Sequence, residues 1–325
     1  ELDVENLGLV SVAHLDTYAG LIFATWAEDA PTLEAYLGDH RWYMDVQFNR
    51  RDGGFTLIGP DKWIIPNNWK NSADNFVGDN YHAPISHRSA TLARQQVRGH
   101  NIDQQFKPYS TPGQQVSPGN GHGMGHLTFE SDEEYWKRNQ GQDQIILDYE
   151  KSIHPEMERR LGFVRTHRMR PGHSTLFPNM SWLAGPRPVR LWHPRGPFHT
   201  EVWAFWAIDR EAPEEVQQAY RRNGMQSFGP SGLSEQDDMD NWRGSTEAGK
   251  SYIARKYLSH IAMGIGHEGE HPDLPGKAIP KAFGEVNQRG MYLKWQQFMN
   301  ANSWTEIPVD PITAKFEGST EVFGS

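Results

Sequence analysis

The segment Asp74-Asn75-Phe76-Val77-Gly78-Asp79-Asn80-Tyr81-His82-Ala83-Pro84-Ile85-Ser86-His87 sets two imidazoles among carboxylates in one short stretch. Neutral imidazole is the commonest protein ligand for iron, zinc and copper. Two imidazoles with one carboxylate form the facial triad that leaves coordination positions open on non-haem Fe(II). A metal-dependent enzyme is therefore the first expectation. A polar surface pair or two satisfied core groups stay open beside it, because the chain carries 15 histidines and spacing alone does not separate these cases.

The elements that must position these groups follow from the spacing. Residues three apart share a helix face, so Asp79 and His82 would be neighbours, whereas His82 and His87, five apart, would diverge. Proline clashes with the preceding turn and biases the residue before it away from the α region. The sequence predicts a helix from Trp69 to His82, ended by the Ala83-Pro84 step, with His87 swung back toward His82. The carboxylate must come from elsewhere in the chain, and the best candidate is the run Glu235-Gln236-Asp237-Asp238-Met239-Asp240-Asn241-Trp242. Such an acidic run ordinarily marks a solvated helix start, where the dipole favours negative charge. Taken with the histidine pair, it predicts a helix offering one inward carboxylate and several outward ones.

Composition narrows the function classes. With 325 residues the chain suffices for one large or two ordinary domains with an ample core. A hydrophobic content of 37%, 12 Trp and 22% charged residues describe a soluble globular protein, expected to be cytoplasmic. The net charge of −9 argues against nucleic acid or anionic membrane as a partner. No apolar run approaches the ~20 residues of a membrane span. The start, Glu1-Leu2-Asp3, has neither an initiator Met nor a signal-peptide pattern, which is expected of a chain that begins within a longer protein. The absence of cysteine excludes disulfides, thiolate nucleophiles, Cys-zinc sites and cysteine-ligated iron–sulfur clusters from this chain. Electrons for any redox chemistry must then come from elsewhere.

Residues 9–17 and 21–26 read as two strands around a Tyr18-Ala19-Gly20 turn. Pro31 to Tyr43 reads as a helix with Asp29 as a possible cap. Phe55–Ile58 and Lys62–Ile65 read as strands, and Gly99 to Gly125 as a long loop or lid. Its glycines Gly119, Gly121, Gly123 and Gly125 fit no nucleotide-binding spacing and are assigned to loop flexibility. Ile145 to Leu161 is helical with a break or kink at Pro155. Residues 174–177, 189–192 and 200–208 read as consecutive antiparallel strands with one buried face. Helices follow from Pro213 to Arg222, Glu235 to Lys250 and Lys281 to Met299. With no internal repeat and no interdomain linker, a single α+β domain is the economical expectation.

Three sets of residues carry a resemblance. Asn68-Trp69-Lys70 with Asn75-Phe76-Val77-Gly78-Asp79-Asn80-Tyr81-His82 and His87, then Trp192-His193-Pro194-Arg195-Gly196-Pro197 with Glu201-Val202-Trp203, then Phe228-Gly229 with Asp237-Asp238-Met239-Asp240-Asn241, resemble the catalytic domain of the Rieske-type aromatic ring-hydroxylating dioxygenase large (α) subunit. The likeness runs from Gly20 to about Trp304 and points to the naphthalene, biphenyl and polycyclic group. It implies a helix-grip, START-like antiparallel sheet flanked by helices and enclosing a deep substrate cavity. It implies His82, His87 and Asp238 as ligands of a mononuclear Fe(II), and Asp79 as the bridge toward a Rieske-cluster histidine of a neighbouring subunit. Asn75, Phe76, Ala83, His173, Leu183, Phe228 and Ser234 fall at pocket positions.

The implied reaction is O2-dependent cis-dihydroxylation of an aromatic hydrocarbon, with NAD(P)H supplying electrons through a reductase and ferredoxin. The implied assembly is an α trimer, with β subunits in many relatives. Two departures stand out. The family's N-terminal Rieske [2Fe–2S] domain needs cysteines that this chain lacks, so residues 1–325 are expected to be the catalytic portion of a longer subunit. Ser234 stands where several relatives have a bulky aromatic, which favours a large, polycyclic and neutral substrate. The alternatives are a 2-oxoglutarate-dependent Fe(II) oxygenase, usually ordered His-x-Asp before a distant His; a cavity-containing START-like binding module; and a zinc hydrolase.

Overall fold

In the computed structural model, residues 7–97, 112–139, 143–185 and 187–314 are described. The chain opens with a hairpin, β1 (His14–Tyr18) and β2 (Leu21–Thr25), turned at Ala19-Gly20 as expected. Then come α1 (Leu33–Leu37), α2 (His40–Phe48), β3 (Phe55–Ile65), α3 (Trp69–Gly78), α4 (Ala83–Ser86) and α5 (Arg88–Val97). The middle of the chain supplies β4 (Gly113–Ser117), β5 (Gly123–Thr128), α6 (Asp132–Asn139), α7 (Gln144–Leu161), β6 (Met169–Leu176), β7 (Met180–Leu183), β8 (Pro188–Pro194) and β9 (Thr200–Asp209). The last part supplies α8 (Glu214–Phe228), α9 (Leu233–Gly249), β10 (Gly269–His271), β11 (Leu274–Ile279) and α10 (Val286–Asn300).

The described residues build one nine-stranded antiparallel sheet, ordered β10-β11-β4-β5-β6-β7-β8-β9-β3, which does not close into a barrel. Period-two alternation gives the sheet two distinct faces. On one, Thr175, Ser181, Trp192 and Val202 meet α3: Thr175 donates to the Ala73 carbonyl, and Phe76 and Val77 pack with Trp192 and Val202. On the other, Leu176, Trp182, Val189 and Ala207 pack against Tyr18, Leu37, Met44 and Phe48 of the hairpin, α1 and α2. The α+β sheet-and-helix architecture expected from the sequence is thus present.

Several local expectations change. The helix expected from Pro31 to Tyr43 is two helices, because Gly38 adopts φ 51° and breaks the run, and Thr32 rather than Asp29 caps α1. The two strands expected at 55–58 and 62–65 are one, β3, with a bulge between Ile58 and Asp61. Pro60 is accommodated because β3 is the sheet's edge. α7 continues past Pro155, α8 runs on to Phe228, and α10 starts at Val286 rather than Lys281. Strand β7 intervenes between two strands that were expected to be consecutive, and β10 and β11 were not foreseen.

The expected loop from Gly99 to Gly125 fails over its second half, which forms β4 and β5; residues 98–111 lie outside the described residues. Gly123 and Gly125 therefore serve packing instead of flexibility. A Cβ on Gly123 would sit 2.5 Å from Val77 Cγ2 of α3, and one on Gly125 would sit 2.4 Å from His173 Nε2. Glycine there lets α3 lie directly on the sheet.

Candidate metal centre

Helix α3 brings the first half of the site to the sheet. Asn68 caps it, its side chain accepting from the Lys70 N–H, and its far end stops at Gly78, four residues short of the expected boundary. Only glycine fits at that last position: a Cβ at Gly78 would meet Gln288 Oε1 at 2.3 Å and Asn287 Oδ1 at 2.5 Å, both buried on α10. Pro84 does not end the helix but sits in the first turn of α4, where its missing N–H costs no bond. The bend at residues 79–82 has the consequence expected of the proline: His82 Nε2 and His87 Nε2 lie 3.2 Å apart.

Asp79 holds this bend together, though not from a helix face. Its Oδ1 accepts the His82 backbone N–H at 3.1 Å, and its carbonyl oxygen lies 2.5 Å from His82 Nδ1. His87 is anchored in the same way from across the fold, its Nδ1 3.1 Å from Asp237 Oδ2. With each Nδ1 committed to an acceptor, each ring turns Nε2 to the same point.

That point faces Asp238 of α9. Its Oδ1 lies 3.1 Å from His82 Nε2 and 3.3 Å from His87 Nε2. Asp238 is buried, yet among the described residues this oxygen takes no hydrogen bond of ordinary geometry. Burial works against charge on all three groups. Even so, the imidazoles hold the Asp238 carboxyl below its usual range, and the carboxylates raise both histidines. Two nitrogens and one oxygen with mutual separations of 3.1–3.3 Å fit a cation: atoms about 2.1 Å from one ion and meeting it near right angles stand about this far apart. These three residues are the one His/Cys/Asp/Glu group of metal-binding proximity among the described residues.

The acidic run on α9 departs from expectation in one respect. Two carboxylates face inward, not one: Glu235 and Asp238, three apart on one helix face, are both buried, while Asp237 is half-buried and Asp240 exposed. Glu235 is tolerated because Arg190 of β8 reaches it, Nη2 to Oε2, at 2.9 Å. Burial pushes the Glu235 carboxyl up to about 7 against that pull.

The residues expected at pocket positions fall on α3, α4, β6, β7, α8 and α9. The Asn75 amide nitrogen lies 3.3 Å from His82 Nδ1 while its oxygen accepts from Trp242 Nε1 at 2.8 Å. Phe76 is buried edge-on against Trp192, and its carbonyl lies 3.0 Å from His173 Nδ1. Burial pushes His173 down to about 4. His173 and Leu183 are cross-strand partners on β6 and β7. Ala83 follows His82 directly. Phe228 ends α8, and Ser234, buried, precedes Asp238 by four on the same face of α9.

Sequence reasoning missed three contributors: Asp237 as the partner of His87, Trp242 as the partner of Asn75, and Arg190. The first two had a signal, since Trp242 follows Asp238 by four and Asp237 adjoins it. Arg190, 45 residues before Glu235, had none. No described helix is long and apolar enough to cross a membrane.

Comparison with known proteins gives the family of the chain. A profile of the ring hydroxylating alpha subunit (catalytic domain) family matches residues 33–300. The alpha subunit of biphenyl dioxygenase from Metapseudomonas furukawaii is 36% identical over 310 residues, covering 91% of this chain and 64% of the relative. The large oxygenase component of the naphthalene 1,2-dioxygenase system of Pseudomonas putida is 30% identical, covering 94% and 68%. Naphthalene 1,2-dioxygenase with indole bound in the active site superposes with a TM-score of 0.80 at 28% identity, over 94% of this chain and 68% of that one. The Rhodococcus sp. enzyme bound to indole gives 0.77 at 32% identity, over 93% and 70%. The chain thus spans about two thirds of the length of such relatives, 64% for the biphenyl enzyme. On the strength of the family match and these identities, the chain belongs to the ring-hydroxylating alpha-subunit family and carries its catalytic domain.

Proposed function

We propose that this chain is the catalytic portion of an aromatic ring-hydroxylating dioxygenase whose complete form converts an aromatic hydrocarbon, O2, two electrons and two protons into a cis-dihydrodiol. The observation that carries this is the convergence of His82 Nε2, His87 Nε2 and Asp238 Oδ1 within 3.1–3.3 Å in a chain of this family. These three residues would hold one Fe(II). Bound there, the ion would supply the O2 chemistry that protein side chains lack.

The chain's own residues do the rest. The Asp79 carbonyl and the Asp237 carboxylate orient the two imidazoles. Phe76, Trp192 and Trp242 form a dry aromatic layer beside the triad and exclude water from that side. The positions carried over from the family, Asn75, Phe76, Ala83, His173, Leu183, Phe228 and Ser234, offer no cationic side chain, and His173 is neutral at pH 7. A neutral ring therefore suits them better than an aromatic acid, and the small Ser234 side chain suits a polycyclic one. Having no cysteine, this chain cannot hold a Rieske cluster itself. We infer that electrons reach it from a cluster outside the chain, past Asp79, after leaving NAD(P)H through a reductase and ferredoxin. We further infer a trimeric α assembly, with or without β subunits, at work in the cytoplasm.

Metal analysis of the complete subunit tests the proposal. About one iron per chain, lost in His82→Ala, His87→Ala and Asp238→Ala with the fold retained, together with O2-dependent diol formation, is the expected result. Zinc in place of iron would indicate a hydrolase, and a metal-free protein that still binds aromatics would indicate a binding module.

A further inference from the structure

Arg190 and Glu235 are both fully buried, and the structure gives them more polar capacity than it satisfies. Arg190 Nη2 alone makes two hydrogen bonds, to Glu235 Oε2 and to the Phe228 carbonyl. Among the described residues, Arg190 Nε, Arg190 Nη1 and Glu235 Oε1 have no hydrogen-bond partner. The guanidinium lies 5.2 Å from the ring centre of Trp63 and 6.0 Å from that of Trp206. Nothing in the apolar face of β8 and β9 requires an ion pair here, and a well-packed hydrophobic pair of similar volume is as stable as a buried ion pair or more so. What the pair does have is a location.

Phe228 ends α8 and Glu235 lies in the first turn of α9, so one guanidinium nitrogen grips both sides of the corner that joins these helices. Ser234 is next to Glu235, and Asp238 lies one turn further on. The corner therefore carries two proposed pocket walls and the single carboxylate of the triad. β8, which carries Arg190, is an interior strand of the sheet and gives the grip a rigid base.

We propose that Arg190, acting through Glu235 and the Phe228 carbonyl, is a positioning residue that sets the depth of α9 and thereby aims Asp238 at the two histidines. This rests on Asp238 being an iron ligand, as proposed above. An apolar pair could fill the same volume, but it would not tie the end of α8 to the start of α9. The ion pair is thus a device for orientation, with stability as a side effect.

The test uses the complete subunit and compares wild type with Arg190→Met, Arg190→Lys and the double variant Arg190→Met/Glu235→Leu. Anaerobic Fe(II) titration and thermal midpoint are the readouts. In Arg190→Met a carboxyl stays buried without its partner, and both stability and iron affinity should fall. The double variant should regain the thermal midpoint, while its iron affinity stays about 10- to 100-fold below wild type, the usual cost of losing a group that orients a ligand. Arg190→Lys keeps the charge, but its side chain is one bond shorter than the reach to Nη2, so its ammonium falls short of the point from which both partners are held, and its affinity should fall by a similar factor. Wild-type iron affinity in a folded double variant, or in Arg190→Lys, would overturn the proposal and leave the pair a structural one. A wild type whose iron uptake is unaffected by Asp238→Ala would instead remove the functional reading, and this inference with it.

Discussion

At the scale of single residues, the site separates groups that meet the proposed metal from groups that aim them. Asp237 is the clearest example, since its Oδ2 lies 3.1 Å from His87 Nδ1 and not in the triad. Asp237→Asn should keep all three ligands yet weaken Fe(II) binding about 10-fold or more. Titration of the purified variant checks this, and an unchanged affinity would show that His87 needs no orienting partner. Asp79→Asn is expected to keep the iron, because Asp79 touches His82 only through Nδ1 and the backbone N–H. Most turnover should nevertheless be lost if Asp79 lies on the electron route. Rapid-mixing reduction of the complete enzyme would then show a reduced cluster that no longer re-oxidises with substrate and O2. Ser234 answers a different question. Overpacking a wall costs roughly 1–3 kcal/mol, so Ser234→Phe should depress turnover of three- and four-ring hydrocarbons far more than that of one- and two-ring ones. Equal loss across a substrate panel would place the effect on the Asp238 helix instead of on pocket volume.

At the scale of elements, the site depends on how closely α3 lies on β5. Gly123 allows that approach, with Val77 Cγ2 and Asn287 Cβ only 2.5 and 2.6 Å from where its Cβ would be. Gly123→Ala should lift α3 or push α10 outward and destabilise the protein by about 1–3 kcal/mol. It should also loosen the histidine bend that α3 leads into. A urea melt measures the first effect and iron retention the second; an unchanged midpoint would mean that α3 can yield at no cost. The histidine bend starts where that helix stops. α3 ends at Gly78, which packs against Asn287 and Gln288 of α10, and the backbone of residues 79–82 folds back around Asp79.

At the scale of the whole molecule, a second buried charge network joins helices to the sheet away from the site. Asp209, at the end of β9, lies 2.5 Å from Arg50 Nη2, and Arg50 also meets Glu150 of α7 at 2.9 Å. Arg187 approaches Asp209 at 3.4 Å. Burial raises the Asp209 carboxyl, but Arg50 and then Arg187 outweigh it and hold the group at about 2. The folded pKa lies below the unfolded one, so the stabilisation is fully present above about pH 4 and is lost as pH falls toward 2. A depression of this size corresponds to roughly 2–3 kcal/mol. Asp209→Asn should be less stable at neutral pH by about 3–5 kcal/mol, because buried Arg187 loses its paired carboxylate and Arg50 loses one of its two, keeping Glu150. It should also lack this part of the acid transition. Unfolding midpoints of both proteins between pH 2 and 7 check the sign, and parallel curves would mean that the network does not titrate in this window.

What the sequence alone determined is the set of candidate donors and the family likeness. Two histidines five apart around a proline and a distant Asp-Asp pair offer the donor set proposed here, and the complete lack of cysteine excludes a cysteine-ligated cluster from this chain. These features are legible because they are residue types at short spacings, and the family likeness rests on them. The α+β class was legible for a similar reason, since strands such as β8 and β9 carry their period-two pattern locally. The tertiary structure decided the rest. It packed the end of α3 at Gly78 against a helix more than 200 residues away, turned two expected loop glycines into strand positions, and buried Glu235 against Arg190. It also chose Asp238 to meet the histidines and Asp237 to orient one of them. Local spacing encodes what a residue can reach within a turn or two. Whether a carboxylate faces inward depends on the counter-charge and the space that distant segments bring to it, and these exist only once the chain has packed.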